Sequence, residues 1–369
     1  MLPFLPPEIL DLIVDYLHDE RTTLNASCVV SKSWIPRSRK HLFFLVEFSP
    51  KSPIESWIKA FLDPSSSPAH YTRILSLHNP KVSAPAWIRT FCHIVELRMS
   101  QCGDSRTFYR LSPTLESLSL DLCHIPLSEL FTLICSFPVL RDMHLDYHHI
   151  HNGTSTDKWS PPSTSPELTG TLRLEGNIRS VIPRMLDLPK IFCFSSIIIL
   201  CLERDADLAK DLVLRCSDTL ESLSIGYSLL SAFHSASAVG QHLTLPLAPR
   251  RGGLLPSFDL SKATKLRDLE FRLYKNPRDV QWVSTTIQTA KSQGLRQINI
   301  YSRFSSRTTY HLPVTETISR GWHDLDHLLV QLWTSRSIRP GFTPQNWKEE
   351  GREDLASLLP GVTGRGALI

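Results

Sequence analysis

Apolar residues at helical spacing dominate the start of the chain. In the first helix that they predict, the apolar positions are Ile9, Leu10, Leu12, Ile13, Val14 and Leu17. Pro7 suits the first turn of that helix, because its missing N–H would be unpaired there in any case. A second helix is predicted from about Thr23 to Val30, and a third, basic segment carries Trp34. The pattern therefore predicts three short helices before residue 45.

These helices carry more apolar surface than so small a unit can bury. A domain of about 45 residues hides too small a share of its surface to be more than marginally stable alone. Two explanations fit this excess. Either a partner protein covers the remaining apolar surface, or the helices form the first core layer of the domain that follows.

A different pattern runs through the rest of the chain: an apolar residue, two others, a Leu, one other residue and a second Leu. Its central apolar positions are Leu75, Leu97, Leu118, Met143, Leu172, Leu200, Leu223, Leu269 and Ile298. Successive centres lie 21 to 29 residues apart, except for one interval of 46 that leaves room for a degenerate unit near Leu243. This spacing is typical of leucine-rich repeats, in which each unit is a strand followed by a returning helix. Stacked units of this kind predict an irregular solenoid with a parallel sheet.

The residues between the predicted strands agree with such repeats. Cys102, Cys123 and Asn177 occupy the position at which the repeat has an Asn or Cys that bonds the turn backbone. Helices are predicted from Leu127 to Ile134 and from Val280 to Ala290, on the return path from one strand to the next.

The chain is predicted to have four parts, within an α/β fold class. Residues 1–45 form the helical unit, 46–69 a linking strand and helix, 70–310 the solenoid, and 311–369 a capping helix and a polar tail. Alternating apolar residues predict the first strand from His41 to Phe48. The capping helix is predicted from Asp324 to Trp333, and the polar tail begins at Pro340.

Side chains between the buried strand positions are expected on the open face of the predicted sheet. The column at its centre contains Arg98, Ser119, His144, Arg173, Cys201, Ser224, Glu270 and Asn299. The candidate target-binding residues are Arg98, Asp121, His144, Arg173, Glu203, Glu270, Asn299 and Tyr301. A surface that combines positive and negative side chains with His and Tyr suits a folded protein or a peptide as partner more than the phosphate backbone of a nucleic acid. The simpler explanation is that these residues are only the solvated side of a half-buried sheet.

The stretch from Leu5 to Trp34 resembles an F-box. The residues that carry the resemblance are the leading Leu5 and Pro6, the acidic Glu8, the row Ile9, Ile13 and Leu17, and the ending Val30 and Trp34. The second helix departs from the pattern, since Asn25 and Ser27 are more polar than is usual there. Residues 258–271, 323–340 and 358–369 resemble a family of F-box proteins with degenerate leucine-rich repeats.

The resemblance implies a substrate receptor of an SCF-type (Skp–cullin–F-box) ubiquitin ligase. The helical unit would bind the Skp adaptor and through it a cullin, while the repeat face would bind an unidentified target protein. The residues implied at the adaptor contact are Leu5, Pro6, Ile9, Leu12, Ile13, Leu17, Val30 and Trp34. Such a receptor is not itself an enzyme, because it acts by holding its target close to catalytic groups elsewhere in the complex.

Charge and cysteine content narrow the functional classes. The net charge of +4 over 369 residues is too weak to indicate a nucleic-acid partner. The eight cysteines include no C-x-x-C pair, which indicates free thiols in a reducing compartment. The start of the chain lacks the basic region of a signal peptide, and the longest apolar run, residues 191–202, is too short to cross a membrane. The expected location is the cytoplasm or the nucleus, with no membrane partner.

The common catalytic patterns are missing from the sequence. It contains no G-x-S-x-G, H-E-x-x-H or phosphate-loop pattern, and no catalytic triad can be selected. The histidines from His144 to His151 do not predict a metal site, because they run from a strand end into a loop. The sequence thus predicts no catalytic residue, no metal and no cofactor. Two alternatives stay open: an F-box interaction protein without ubiquitin transfer, and a hydrolase on another α/β fold whose strands are apolar on both faces.

Overall fold

The computed structural model describes residues 6–52, 54–63, 67–79, 85–102, 108, 111, 113–147, 168–176, 178–187, 193–201, 205–227, 257–274, 280–303, 316–345 and 357–366. The chain divides into two compact units, a first that reaches Leu145 and a second that contains Thr169–Ile369. Each unit combines helices with parallel strands, and this confirms the predicted α/β class with a parallel sheet.

The first unit begins with three helices and continues with alternating strands and helices. The helices are α1 (Pro7–Tyr16), α2 (Arg21–Val30) and α3 (Ile35–Leu42). The elements after them are β1 (Leu45–Phe48), α4 (Ile54–Leu62), a 3-10 turn (Pro68–His70), β2 (Ile74–His78), α5 (Pro85–Ile88), β3 (Glu96–Ser100), β4 (Ser117–Asp121), α6 (Leu127–Cys135) and β5 (Asp142–Tyr147), whose last two residues belong to the second unit. Strands β1 to β4 pair in parallel in chain order.

The strand register of the first unit stacks apolar side chains in two rows. One row contains Val46, Leu75, Leu97 and Leu118, and the other contains Phe48, Leu77, Met99 and Leu120. All of them except Val46 are almost completely buried. Because full burial of one such side chain contributes about 1.5–3 kcal/mol, these rows form the core of the unit.

A residue with left-handed backbone follows each of three successive strands of the first unit. The residues directly after β2, β3 and β4 are Asn79, Gln101 and Leu122, with φ angles of 41°, 55° and 50°. The next residue in the last two turns is a buried cysteine. The thiol of Cys102 donates to the carbonyl of Leu77 at 3.7 Å, and the thiol of Cys123 donates to that of Met99 at 3.4 Å. The predicted bonding of these two cysteines to backbone is confirmed, while Asn177 lies outside the described residues.

The second unit repeats this organisation with six strands in its described part. Its elements are β6 (Thr171–Gly176), α7 (Val181–Leu186), β7 (Ser196–Cys201), α8 (Ala206–Arg215), β8 (Ser222–Tyr227), β9 (Asp268–Tyr274), α9 (Val280–Thr289), β10 (Gln297–Arg303), α10 (Glu316–Arg336), β11 (Arg339–Gln345) and α11 (Pro360–Thr363). Strands β6 to β11 pair in parallel in chain order. Its two rows contain Leu172, Ile197, Leu223, Leu269 and Ile298, and Leu174, Ile199, Ile225, Phe271, Ile300 and Phe342.

The register of β7 differs from the predicted repeat. The sequence pattern places Leu200 at the centre of the repeat, but Ile197 and Ile199 occupy the two buried rows. The prediction is wrong because β7 contains four consecutive apolar residues, so local alternation does not specify which of them face the core. As a consequence, Cys201 lies outside the predicted central column and Ile198 takes its position.

The first strand is shorter than predicted. It starts at Leu45 and not at His41, because α3 continues to Leu42. The helix closes with a backbone bond from the N–H of Phe43 to the carbonyl of Arg39. The alternation that suggested one strand is therefore shared between a helix end and β1.

The C-terminal part differs from a capping helix followed by a polar tail. Helix α10 is longer than predicted at both ends, and the segment after it contains β11, which extends the parallel pairing of β10. The carboxylate of Asp326 on α10 accepts the N–H groups of Gly361 and Val362, both at 2.9 Å. Val362 is buried, so α11 packs against α10 as part of the second unit.

Candidate protein-binding surfaces

Polar contacts connect the three N-terminal helices. The carboxylate of Asp15 on α1 pairs with the guanidinium of Arg37 on α3, and its Oδ1 lies 2.7 Å from Nε2 of His41. The hydroxyls of Ser27 on α2 and Ser38 on α3 are buried and 2.6 Å apart. Helix α3 therefore holds both of the other helices through specific side-chain contacts.

The pairing between Asp15 and Arg37 fixes the charge of both groups. Hydrogen bonds from Arg37, and then from His41, hold the pKa of Asp15 well below its usual range. The hydrogen bond to Asp15 in turn raises the pKa of Arg37. The pair consequently remains ionised at neutral pH, and α1 and α3 stay linked.

An apolar stripe remains exposed on α1. Its members Ile9, Leu12, Ile13 and Tyr16 have the spacing of one helix face and exposed fractions of 42%, 63%, 40% and 89%. Val29 and Val30 at the end of α2 are also exposed. We call these six side chains the exposed head residues. They account for six of the eleven large apolar side chains that are exposed in the described part of the chain.

The structure places the predicted adaptor residues in three groups. Ile9, Leu12, Ile13 and Val30 belong to the exposed head residues, and Pro6 is exposed immediately before α1. Leu17 and Trp34 are half-buried, and Leu5 lies outside the described residues. The apolar side chains that α1 and α2 bury completely are Val14 and Leu24. Most of the predicted contact residues thus face solvent.

Tyr16 and Val29 are exposed head residues that the predicted adaptor contact omits. Tyr16 lies seven positions after Ile9, and that spacing continues the stripe of α1 by one further turn. The helical spacing is therefore a signal that identifies Tyr16 from the sequence. For Val29, the sequence offers only its position beside Val30.

In the first unit, the predicted target-binding residues lie on adjacent strands. Arg98 is exposed on β3 and donates to Oε1 of Glu96 at 2.6 Å. Asp121 is half-buried at the end of β4. Nδ1 of His144 on β5 lies 3.2 Å from the hydroxyl of Ser119 on β4. These residues are partly exposed, and each occupies a strand position that alternates with the buried rows.

In the second unit, the predicted face contains linked charges. Arg173 pairs with Glu175 two positions along β6. Glu270 on β9 accepts from the hydroxyl of Ser224 at 2.8 Å and from Nε of Arg272 at 2.6 Å. Arg173 and Arg272 are thus each paired with a glutamate on their own strand, as Arg98 is on β3. The face therefore presents balanced pairs of charges.

The remaining predicted face residues lie at the end of the second unit. The side-chain oxygen of Asn299 accepts from the amide of Gln297 at 2.9 Å. Tyr301 is half-buried on β10, opposite Arg272 of β9 in the register. Glu203 lies outside the described residues.

A groove of about 720 Å³ lies between α9 and α10, on the helical side of the second unit. Its lining consists mainly of amide, hydroxyl and charged side chains, among them Gln281, Gln288, Asp324 and His327. The groove includes none of the predicted site residues. Its polar lining is typical of the solvated outer surface of two packed helices.

These features define an α/β protein with two candidate binding surfaces. No protein-family model matches the chain, and no curated protein matches it at a significant level. None of the described helices has the length and apolar character that crossing a membrane requires. The residues of the chain itself therefore carry the functional proposal.

Proposed function

We propose that this chain is the substrate-recognition subunit of an SCF-type (Skp–cullin–F-box) ubiquitin ligase. Helices α1 to α3 form the F-box and bind the Skp adaptor, and the following strands form an irregular leucine-rich-repeat solenoid that binds a target protein. The chain is not an enzyme, since it contributes proximity and orientation while the catalytic groups belong to other subunits. The proposed location is the cytoplasm or the nucleus.

The exposure of apolar side chains on α1 and α2 carries this proposal. Leu12 is 63% exposed and Val30 is 70% exposed, and both belong to the residues implied at the adaptor contact. Monomeric proteins rarely expose several large apolar side chains on short neighbouring elements without a partner that covers them. Burial of one such side chain contributes about 1.5–3 kcal/mol, so covering several of them supplies affinity for a helical partner.

The recurring turn supports the solenoid part of the proposal. Gln101 and Leu122 have the same left-handed backbone after successive strands, and a buried cysteine follows each of them. The thiols then bond to the preceding strand, as described above for Cys102 and Cys123. One supersecondary unit that repeats with its own turn chemistry is what a stacked repeat array requires.

The charge-paired strand face supports a protein as the target. Arg173 and Glu270 each have a charged partner of opposite sign on the same strand. A duplex or membrane surface needs an excess of unpaired positive charge, which these pairs do not offer. The polar strand residues of each unit, with His144 in the first and Tyr301 in the second, fit the hydrogen-bonding rim of a protein interface.

Replacement of Ile9 and Leu12 by Asp tests the adaptor contact. We expect co-purification of the full chain with the Skp adaptor to be lost, because two charges would be buried in an apolar contact. The exposed positions of both side chains predict that the circular dichroism of the chain changes little.

Leu214→Asp is the matched control, since Leu214 on α8 is 46% exposed and lies outside the proposed contact. This variant should bind the adaptor as the unchanged chain does. Adaptor binding that survives the double replacement would contradict the proposal. Recovery of a cullin together with the adaptor separates a ligase subunit from an interaction protein that acts without ubiquitin transfer.

A further inference from the structure

A cluster of His and Cys side chains lies where two turns of the first unit meet. One ligand atom from each of His70, Cys92 and His93 lies within 4.8 Å of the others. All three side chains reach solvent. Imidazole nitrogen and thiolate sulfur are the ligand types that Zn²⁺ prefers in proteins, and the group contains no carboxylate that would favour Mg²⁺ or Ca²⁺.

The turn that carries His70 is fixed by its own hydrogen bonds. His70 ends the 3-10 turn, in which Pro68 and Ala69 are buried. The hydroxyl of Ser67 donates to the carbonyl of Phe61 at 2.8 Å and accepts the N–H of Ala69 at 3.2 Å. The backbone of His70 is thus positioned without the help of an ion.

The turn that carries Cys92 and His93 is equally constrained. It follows α5, where the hydroxyl of Thr90 donates to the carbonyl of Trp87 at 2.6 Å. The N–H of Cys92 donates to the carbonyl of Thr90 at 3.0 Å. The carbonyl of His93 accepts from the guanidinium of Arg73 at 2.8 Å, which fixes the end of the turn.

Both turns rest on one aromatic cluster. The rings of Phe61 and Phe91 have centroids 5.0 Å apart, and the ring of Trp87 stacks on Phe61 at 5.9 Å. All three side chains are only 1% exposed. Because Phe61 bonds to the first turn and Phe91 adjoins Cys92, a shared rigid base holds the two turns in their relative positions.

We propose that His70, Cys92 and His93 form a Zn²⁺ site with one open coordination position. Four-coordinate Zn²⁺, with Zn–N of about 2.0–2.1 Å and Zn–S of about 2.3 Å, separates its ligand atoms by about 3.3–3.6 Å. The ligand atoms lie at most 4.8 Å apart, so side-chain rotations that shorten these separations by up to about 1.5 Å bring them into this range, and surface rotamers permit such rotations. The thiol releases its proton to solvent on binding, and a water molecule takes the fourth position.

The bound ion would connect the turn before β2 to the turn before β3. It would bind the folded unit and not the unfolded chain, in which residues 70 and 92 have no fixed separation. Zinc should therefore raise the thermal stability of the first unit, by an amount that grows with the logarithm of the free zinc concentration once that concentration exceeds the dissociation constant. This site is independent of the proposed adaptor contact, because it shares no residue with the exposed head residues.

The test titrates the full chain, stripped of metal, with Zn²⁺ against a competing chelator. We expect one Zn²⁺ per chain and a higher melting temperature with zinc. Loss of a residue that only hydrogen-bonds to a metal ligand weakens metal binding by about 10- to 100-fold. Cys92→Ser and His70→Ala each remove a ligand itself, so they should weaken zinc binding by more than that. Cys135→Ser is the matched control, because Cys135 is a half-buried cysteine of α6 outside the group.

Equal zinc affinity in Cys92→Ser and in the unchanged chain would overturn the proposal. Co²⁺ in place of Zn²⁺ provides a measurement that needs no variant. We expect thiolate-to-cobalt absorption together with the visible bands of four-coordinate Co²⁺. Co²⁺-loaded protein without thiolate absorption would exclude Cys92 as a ligand and would overturn the site as well.

Discussion

The N-terminal helices and the strands that follow them are stabilised differently, although both belong to the first unit. In α1 to α3, the completely buried large apolar side chains are Val14 and Leu24, and the polar pairs of Asp15 and Ser27 connect the helices. In β2 to β4, each inward position holds a Leu or Met that is at most 1% exposed. The strands thus cover their apolar side chains with one another, whereas the helices leave several uncovered.

The difference has a geometric cause. Strands β2 and β3 each pair with a strand on both sides, so an apolar row extends from one strand to the next without a gap. Three short helices have no such neighbours, and the area between them is too small for a complete core. Specific polar contacts can then set the arrangement of the helices while their apolar face remains available for a partner.

The largest effect should come from truncation inside a strand row. Leu118→Ala removes a side chain that is 0% exposed and leaves a cavity, at a cost of about 2–5 kcal/mol in the free energy of unfolding. Leu12→Ala on α1 removes the same atoms from a side chain that is 63% exposed, and should change that free energy by less than about 0.5 kcal/mol. Urea denaturation followed by circular dichroism measures both. Similar midpoints for the two variants would remove the distinction between the regions.

A smaller effect is expected from added side-chain volume between strands. A Cβ atom on Gly226 of β8 would lie 2.7 Å from Cδ2 of Leu200 and 2.8 Å from Cβ of Arg272. Gly226→Ala should therefore destabilise the second unit by about 1–3 kcal/mol.

Gly321→Ala on α10 is the counterpart, because a Cβ atom there meets nothing within 4 Å. Alanine leaves the unfolded chain fewer backbone conformations than glycine does, so less entropy is lost when the helix forms. This variant should therefore gain about 0.5–1 kcal/mol in the free energy of unfolding. Thermal denaturation of the two variants gives the sign of each change. A stabilising Gly226→Ala would show that the strands are not tightly packed at that point.

The elements with regular spacing are the ones that the sequence predicts well. The centres of most repeats, such as Leu97 and Leu223, lie in buried rows, and the helices predicted near Leu127 and Val280 are confirmed as α6 and α9. In these stretches polar and apolar residues alternate with a clear period, so one register buries all of the apolar positions. In β7 the apolar run removes that information, and only the neighbouring strands determine the register.

The sequence does not predict strand β11, because the residues of this strand are typical of a turn or tail. It contains Pro340, which lacks an N–H, and Gly341, whose missing side chain leaves space for Asn299 of the neighbouring strand. A Cβ atom at Gly341 would clash with Oδ1 of that asparagine. The requirement for glycine thus comes from a contact between residues far apart in the chain, and local propensity does not reveal it.

The exposed stripe on α1 and the proposed Zn²⁺ site also differ in how far the sequence predicts them. Helical spacing predicts the stripe on α1, because all of its members belong to one short helix. The ligands of the proposed Zn²⁺ site come from two turns that are 22 residues apart in sequence, between His70 and Cys92, with no recognised ligand spacing. Packing of Phe61 against Phe91 brings them together, and sequence periodicity does not encode that contact.

The smallest effect concerns the polar contacts between the helices. Asp15→Asn removes the charge that pairs with Arg37, and should weaken the α1–α3 contact by about 1 kcal/mol at neutral pH, since about a third of the pair is exposed to solvent. The pKa of Asp15 is lowered in the folded state, so its stabilisation is present above the unfolded pKa of about 3.9 and is lost as the pH falls below it. Hydrogen exchange of the α1 and α3 amides should show a difference between Asp15→Asn and the unchanged chain that shrinks with acidification.

Asp19→Asn is the control, because that carboxylate is 87% exposed and should not affect these amides. If Asp15→Asn left the protection of α1 unchanged at neutral pH, apolar contacts alone would hold the helices, and the contrast with the strands would disappear.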